Sequence, residues 1–222
     1  MRSRRRKRTL QISVDAGGDV RVAVPYRTPV AAIEAFVRER VPWLERQLAA
    51  APPAPERAWV SGERVPYLGR SLALAVTEAP RPAPAALAGG VLRSELPVAL
   101  TGAPRAAAAR VAMEAWYRPR AERLLAARAA RWARRLGWAP RRVIVKAQRR
   151  RWGSCARDGT IRLNWRLVMA EPALIDYVIV HELAHLEVHH HGPEFWARVR
   201  SVLAGCEVQR RQLRQEGGTF EL

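Results

Sequence analysis

The chain has 222 residues, enough for one large domain or two small ones with a hydrophobic core. No segment reaches the ~18 uninterrupted apolar residues of a membrane span, and no apolar stretch of a secretory signal follows the charged N-terminus, so we expect no membrane partner. Two cysteines are too few for a disulfide framework, which favours a cytoplasmic location.

Positive charge is the strongest compositional signal, because the formal net charge is +19. Residues 1–8 carry six positive charges and no negative ones, and residues 103–151 carry fourteen Arg and one Lys against two Glu. Charge concentrated in this way attracts polyanions such as nucleotides or nucleic acid. It also fits a solvated surface in an Arg-rich chain. Nucleic-acid binding through this basic face is therefore one hypothesis.

The first 78 residues predict a β-rich module. Alternating residues in Thr9–Val14 and Val20–Val24, separated by Ala16–Asp19, indicate a β-hairpin. An amphipathic helix follows from Thr28 to about Ala50, and Pro42 is expected to kink it. Ala51–Pro55 predicts a stiff linker. Short strands are expected at Trp59–Val60, Arg64–Leu68 and Leu72–Thr77.

Residues 79–104 are rich in Ala, Pro and Gly and contain at best weak strands near Val91 and Val98. We interpret them as the connection between the N-terminal module, residues 1–78, and a C-terminal domain, residues 105–222.

The C-terminal domain begins with a helical pattern from Pro104 to Leu136, which predicts two helical pieces meeting at Arg118-Pro119. Gly137 is a plausible C-cap. Strands are expected at Val143–Lys146 and Thr160–Asn164. Arginines fall mostly on the side of the helix opposite its apolar stripe: Arg120, Arg123, Arg128, Arg131, Arg134 and Arg135.

The sequence His181-Glu182-Leu183-Ala184-His185 is typical of a metal site on a helix. The helix is expected to begin near Pro172, and its apolar character all round indicates burial. His181 and His185 then lie one turn apart on one face, with roughly 5–6 Å between their β-carbons. That spacing lets two imidazoles bind one zinc ion at about 2.0–2.1 Å.

A catalytic zinc site usually needs a third protein ligand. His189 would lie about 12 Å beyond His181 on a continuous helix, too far to share one metal. The third ligand must come after the chain leaves the helix, which it does before Gly192-Pro193. His190 and His191 both satisfy this condition, and we favour His191. Zinc lowers the pKa of a bound water from ~15.7 to ~7, and Glu182 is placed to act as general base.

Several segments together resemble the YgjP-like metallopeptidase family, which is related to the SprT and WLM groups of zincin-type metalloproteases. They are Arg151–Cys155, Ile161–Val168, His181–Leu186, His191 and Phe195-Trp196, and the basic N-terminal strand, Tyr67–Arg70 and Trp116-Tyr117 extend the resemblance over most of the chain. The resemblance implies an α+β fold, in which a β-rich N-terminal module precedes a zincin-like catalytic domain whose HExxH helix packs on a small sheet. It also implies His181, His185 and His191 as ligands of one zinc ion, and Glu182 as the catalytic residue.

Two departures from the family pattern matter. His190 stands where family members often have Asn, so His190 is an alternative ligand. Val188 stands where the neighbouring metzincin group has glycine, which argues against that group.

An edge strand beside the metal helix is expected to bind an extended peptide, either in Trp152–Cys155 or in Thr160–Asn164. Candidate residues of the substrate cleft are Arg151, Trp152, Ser154 and Asn164, although core packing is the ordinary fate of a Trp. Asp176 and Glu187 are candidates for orienting the histidines.

These features predict a cytoplasmic zinc metallopeptidase with a peptide or protein substrate. One alternative is a metal-dependent pyrophosphohydrolase of a nucleoside triphosphate such as UTP, for which Arg149–Arg151 would bind phosphates. Another is a DNA- or RNA-associated protease, or a nucleic-acid-binding module, of SprT type.

Overall fold

The computed structural model describes residues 2–3, 9–14, 20–50, 57–148 and 151–220. The chain forms two compact units, Met1–Pro55 and Glu56–Leu222. The sequence predicted a division into 1–78, 79–104 and 105–222 instead, so the N-terminal unit is shorter than expected. The predicted linker 51–55 and the hairpin turn 16–19 lie outside the described residues.

The N-terminal unit contains a three-stranded sheet and two helices. Its elements are β1 (Arg2–Ser3), β2 (Gln11–Val14), β3 (Val20–Pro25), α1 (Val30–Glu39) and α2 (Val41–Ala50). The predicted hairpin is confirmed, because β2 pairs antiparallel with β3, while β1 pairs parallel with the other side of β3. The helix expected over 28–50 is interrupted at Arg40. Pro42 explains the break, since its ring clashes with the carbonyl four residues earlier in a continuous helix.

The second unit begins with a four-stranded sheet. Its strands are β4 (Arg64–Tyr67), β5 (Arg70–Ala79), β6 (Ala86–Ala88) and β7 (Val91–Pro97), in the order β4-β5-β7-β6. β5 and β7 run parallel, with Ala73 opposite Val91. Residues 79–104, expected to be a connection, therefore supply two strands. Every second residue of β7 is buried, namely Leu92, Ser94 and Leu96. The sequence did not predict this strand clearly, because the residues around it are mostly Ala and Pro. Trp59-Val60 is not a strand, and Trp59 has φ 55°.

A long helix, α3 (Gly102–Leu136), follows the sheet. The prediction of two pieces at Arg118-Pro119 was wrong, because the helix continues through Pro119. An interior proline costs about 3 kcal/mol or more. Trp116, Tyr117 and Ala121 around it are fully buried, so packing of both halves against one core offsets that cost. Gly137 has φ 68° and confirms the predicted C-cap. None of the helices in the described residues is long and apolar enough to cross a membrane.

A second, three-stranded sheet and three helices complete this unit. The elements are β8 (Arg142–Lys146), β9 (Gly153–Cys155), β10 (Thr160–Asn164), α4 (Pro172–Ala184), α5 (Pro193–Val202) and α6 (Cys206–Glu216), with 3₁₀ turns at Trp165–Met169 and Gly217–Thr219. β10 is central, parallel to β8 and antiparallel to β9. β9 is therefore an edge strand, and α4 packs against it. The fold is α+β, with the HExxH helix on a small sheet, as predicted.

The four-stranded sheet is tied to the segment just before α4 and to α3. The backbone N–H of Leu68, in the turn between β4 and β5, donates to Val168 O at 2.7 Å. The Tyr117 hydroxyl donates to Pro66 O at 2.5 Å. A β-carbon at Gly69 would lie 2.6 Å from Cγ of Glu171, so this turn fits closely against the residue before α4. One continuous hydrophobic core joins both sheets.

The predicted basic face of α3 is partly neutralised within the protein. Arg128 binds Asp176 at 2.7 Å, and Arg131 lies 3.6 Å from the same carboxylate. Arg120 lies over the Trp116 ring and donates to its carbonyl. Arg123 and Arg134 are exposed.

Candidate metal centre

Helix α4 carries His181 and His185 on successive turns, at the point where the helix leaves the core. Pro172 begins the helix, as the sequence predicted, and His185 is its C-cap. Nearly all the residues between them are buried, since α4 packs against α3, α5, α6 and β9. This burial fixes the helix backbone, so the directions of the two imidazoles are set by the core.

The ring nitrogens of three histidines converge. Nε2 of His191 lies 3.0 Å from Nε2 of His181 and 3.2 Å from Nε2 of His185. His191 belongs to the turn between α4 and α5. Within the described residues, these three form a group of side chains able to hold a metal ion. We call them the histidine triad.

The turn after α4 orients His185. The chain continues for almost one more helical turn, since Val188 N–H bonds to Ala184 O, and the Val188 carbonyl then faces the ring. Nδ1 of His185 lies 2.9 Å from that carbonyl oxygen. A carbonyl only accepts, so Nδ1 carries the proton and Nε2 presents its lone pair to the triad.

Aromatic rings support the triad from α5. Phe195 is fully buried and lies 4.4 to 4.8 Å, centroid to centroid, from all three imidazoles. Trp196 stacks on His191 at 5.9 Å, and its indole N–H donates to His191 O at 3.2 Å. The sequence predicted these two residues on a helix but not as the support of the site.

The triad is neutral at ordinary pH. Burial lowers the pKa of His181 to about 3, with a smaller contribution from the neighbouring histidines and Arg210. Burial also lowers the pKa of His185 and of His191. Neutral imidazole is the form that binds metal ions. Tetrahedral zinc with Zn–N bonds of about 2.0–2.1 Å places ligand nitrogens roughly 3.3 Å apart, close to the two separations above. The residues therefore fit such an ion.

Glu182 lies beside the triad against strand β9. The residue is 6% exposed, and burial raises the pKa of its carboxyl to about 7. The Arg151 charge and a hydrogen bond from the Cys155 backbone N–H act in the opposite direction. A carboxyl group with a pKa near neutrality can both take up and release a proton at neutral pH.

Gly153 allows this arrangement. A β-carbon there would lie 2.5 Å from Cγ of Glu182 and 2.6 Å from its Oε1, closer than real atoms approach. Sequence reasoning placed Gly153 in a joining segment and assigned it no role. The available signal was a glycine inside a strand, which often marks a close approach.

The residues predicted to line the cleft have different surroundings. Asn164 is 4% exposed and donates to the carbonyls of Gln148 and Arg151, while it accepts from Arg166 N–H. Its amide therefore caps a turn and fixes the chain before β9, and its place in the substrate cleft stays a prediction. Trp152 packs edge-on against Phe220 at 5.6 Å and against Gly217, so its ring serves packing.

Ser154 and Arg151 are the other two cleft candidates. Ser154 pairs with Arg162 across β9 and β10. Since successive residues of a strand face opposite sides, its side chain points away from the face on which Gly153 meets Glu182. Arg151 is exposed, and its charge acts on Glu182. Arg149 and Arg150 lie outside the described residues.

The proposed orienting carboxylates do not contact the triad. Asp176 binds Arg128, as described above. Glu187 accepts from the Trp138 indole N–H and binds Arg198. Nδ1 of His181 is buried without a hydrogen-bond partner among the described residues. His190 accepts from Gly192 N–H through Nδ1 and is not part of the metal-binding group.

Comparison with known proteins finds a family model and solved structures that are similar to the chain. A family model for the YgjP-like metallopeptidase domain matches residues 8–216. No curated protein matches. The crystal structure of the metallopeptidase zymogen of Pyrococcus abyssi abylysin is 22% identical, covers 43% of this chain and 97% of its own, and has a TM-score of 0.38. The crystal structure of the metallopeptidase zymogen of Methanocaldococcus jannaschii jannalysin is 21% identical, covers 41% of this chain and 95% of its own, and has a TM-score of 0.38.

Proposed function

The chain belongs to the YgjP-like metallopeptidase family, and we propose that it is a zinc-dependent peptidase with Glu182 as general base. The observation that carries this proposal is the convergence of three neutral imidazole nitrogens beside a buried carboxylate. His181, His185 and His191 would hold one zinc ion. A zinc ion held there would supply Lewis-acid chemistry, namely polarisation of the substrate carbonyl and a lower pKa of water.

Residues beside the triad would transfer the proton and hold the catalytic carboxylate in position. Glu182 would accept a proton from the attacking water and transfer it to the leaving amine. The Cys155 N–H, which donates to the Glu182 carboxylate, would hold that group in position.

Strand β9 supports an extended peptide substrate. The backbone groups of Trp152 and Ala156 bond to β10, through Asn164 N–H to Trp152 O and Ala156 N–H to Thr160 O. Backbone groups alternate in direction along a strand, so those of Gly153 and Cys155 point away from β10. Glu182 accepts from the Cys155 N–H, which leaves the N–H and carbonyl of Gly153 and the Cys155 carbonyl for a substrate. A peptide could add to this edge through main-chain hydrogen bonds, next to Glu182. We also propose a cytoplasmic location, because Cys155 and Cys206 are both free thiols.

The test combines metal analysis with substrate trials. Purified protein loaded with zinc is offered unfolded casein, UTP and ATP, each with and without DNA. We expect one zinc per chain, loss of zinc in His185→Ala, and retention of zinc with at least ~100-fold lower turnover in Glu182→Gln. His189→Ala is the matched control, since His189 is exposed on the same turn outside the triad. Cleavage of nucleotide without cleavage of casein would overturn the peptidase proposal in favour of the pyrophosphohydrolase, and proteolysis that needs DNA would favour the nucleic-acid-associated protease.

A further inference from the structure

Helix α6 places a positive charge beside the histidine triad. Cζ of Arg210 lies 4.3 Å from the centroid of the Trp196 ring, and that ring lies 5.8 Å from His181 and 5.9 Å from His191. Arg210 therefore lies next to an aromatic ring that itself contacts two of the three histidines. Arg210 is itself exposed, so a ligand at the triad can reach it.

This charge has no counter-ion within the described part of the chain. No carboxylate described there forms an ion pair with Arg210 or with Arg214, one turn further along α6. Glu207, on the same helix, binds Arg200 at 3.3 Å instead. Like charges four residues apart, such as Arg210 and Arg214, repel each other on a helix. Two arginines with no acidic partner beside a candidate active site indicate an anionic ligand.

Tyr177 adds a neutral hydrogen-bond donor nearby. It lies one turn before His181 on α4, with 5.9 Å between ring centroids. The residue is 4% exposed, so its ring is held in place by the core. A tyrosine hydroxyl keeps its proton at neutral pH and can donate a hydrogen bond. Tyr177 on α4 thus adjoins the triad through His181, and Arg210 on α6 adjoins it through Trp196.

We propose that Arg210 and Tyr177 form a carboxylate-binding subsite, which selects peptide substrates with a carboxylate close to the cleaved bond. This inference rests on the proposed function, because it assigns a substrate class to the same site. The guanidinium fork binds a carboxylate through two hydrogen bonds, and stacking on Trp196 holds its plane in place. The carboxylate can come from an Asp or Glu side chain or from the C-terminus of a short peptide.

The first test measures substrate preference. A neutral eight-residue peptide with a quenched fluorophore carries one Glu at each position in turn, with Gln as the isostere, and is made with a free or an amidated C-terminus. We expect the wild-type protein to cleave at least one carboxylate-bearing peptide with about tenfold higher kcat/KM than its neutral counterpart. Arg210→Gln should remove this preference through KM, and Arg210→Lys should keep part of it. Arg211→Gln is the matched control, an exposed arginine on the same helix, and should leave the preference unchanged.

The second test measures binding without turnover. In a Glu182→Gln background, Arg210→Gln should weaken calorimetric binding of the preferred peptide about tenfold and leave its Gln isostere unaffected. Zinc content and the unfolding midpoint of each variant show whether the site is intact. Equal losses for both peptides would overturn the inference, because Arg210 would then only support Trp196. Arg210-dependent binding of UTP in place of peptide would also overturn it.

The two proposals fail in different ways. A wild-type protein that cleaves peptides without regard to charge would refute the carboxylate subsite and leave the peptidase intact. A wild-type protein that cleaves no peptide would refute the proposed function and this inference with it.

Discussion

Replacing Gly153 by alanine tests the contact between β9 and the candidate catalytic carboxylate. The new β-carbon would lie 2.5, 2.6 and 2.8 Å from Cγ, Oε1 and Cδ of Glu182. Glu182 is buried on a helix whose backbone is fixed, so either its side chain or strand β9 must move. Overpacking of this kind costs about 1–3 kcal/mol of stability. Movement of the carboxylate away from the Cys155 N–H should also lower peptidase turnover by about 100-fold or more, with zinc content unchanged.

Gly153→Ala should raise the free energy of unfolding, and not lower it, when the Glu182 side chain is absent. In a Glu182→Ala background, all three clashing atoms are gone. Gly153 does not have positive φ, so alanine fits its backbone and stabilises by about 0.4–1 kcal/mol through the unfolded state. The coupling between the two positions is then about 1.5–4 kcal/mol, the difference between the two effects.

Urea unfolding of the metal-free proteins measures this coupling. The four species are the wild type, the two single variants and the double variant, compared by their midpoints at equal m-value. If Gly153→Ala cost the same with and without the Glu182 side chain, the clash would not be with Glu182. That result would refute the geometry from which Gly153 was assigned its role.

Three further predictions concern charge and burial. The raised pKa of Glu182 means that its carboxyl binds a proton more tightly in the folded, metal-free protein than in the unfolded chain. The stabilisation by the protonated carboxyl is therefore fully present below pH ~4.5 and is lost as pH rises through about 7. The stability of the wild type relative to Glu182→Gln should fall across that window by up to ~1.4 kcal/mol per pH unit in urea titrations, and a flat difference would contradict the assignment. Asp176→Asn should lower the free energy of unfolding by about 1–3 kcal/mol, because it leaves Arg128 without its carboxylate; Arg141→Gln, which breaks the exposed ion pair of Arg141 with Asp158, is the control and should change it by less than about 1 kcal/mol. Burial raises the pKa of the Cys155 thiol, so iodoacetamide at pH 8 should alkylate it far more slowly in the folded than in the unfolded protein, and equal rates by peptide mass spectrometry would argue against this burial.

Short-range signals predicted the local structure well. The start of α4 at Pro172, the C-cap at Gly137 and strand β10 follow from rules that involve only neighbouring residues, and each is found where expected. The spacing of His181 and His185 likewise predicts that both lie on one face, since a helix fixes residues four apart. These inferences hold because the interactions that decide them act within a turn of helix or a strand.

Features decided by distant contacts were missed. Pro119 favours a break locally, yet the buried rings around it keep α3 continuous. Asn164 is a polar residue near a glycine-containing segment, and nothing in the sequence shows that its amide is satisfied by Gln148 and Arg151. Arg210 lies nearly 30 residues after His181 on a helix that the sequence did not predict, so its place beside Trp196 emerges only from the packing of α6.

The close contact between Gly69 and Glu171 limits how far this protein can be truncated and how its metal-binding helix can be moved to another scaffold. The turn between β4 and β5 packs against Glu171, the residue just before α4. The position at which α4 begins therefore depends on a turn about 100 residues earlier in the chain. A fragment cut at residue 105, where composition suggests a border, would lose that abutment. A design that transfers the three histidines to another scaffold must therefore include the chain from before β4 onward, or provide another contact that fixes the start of α4.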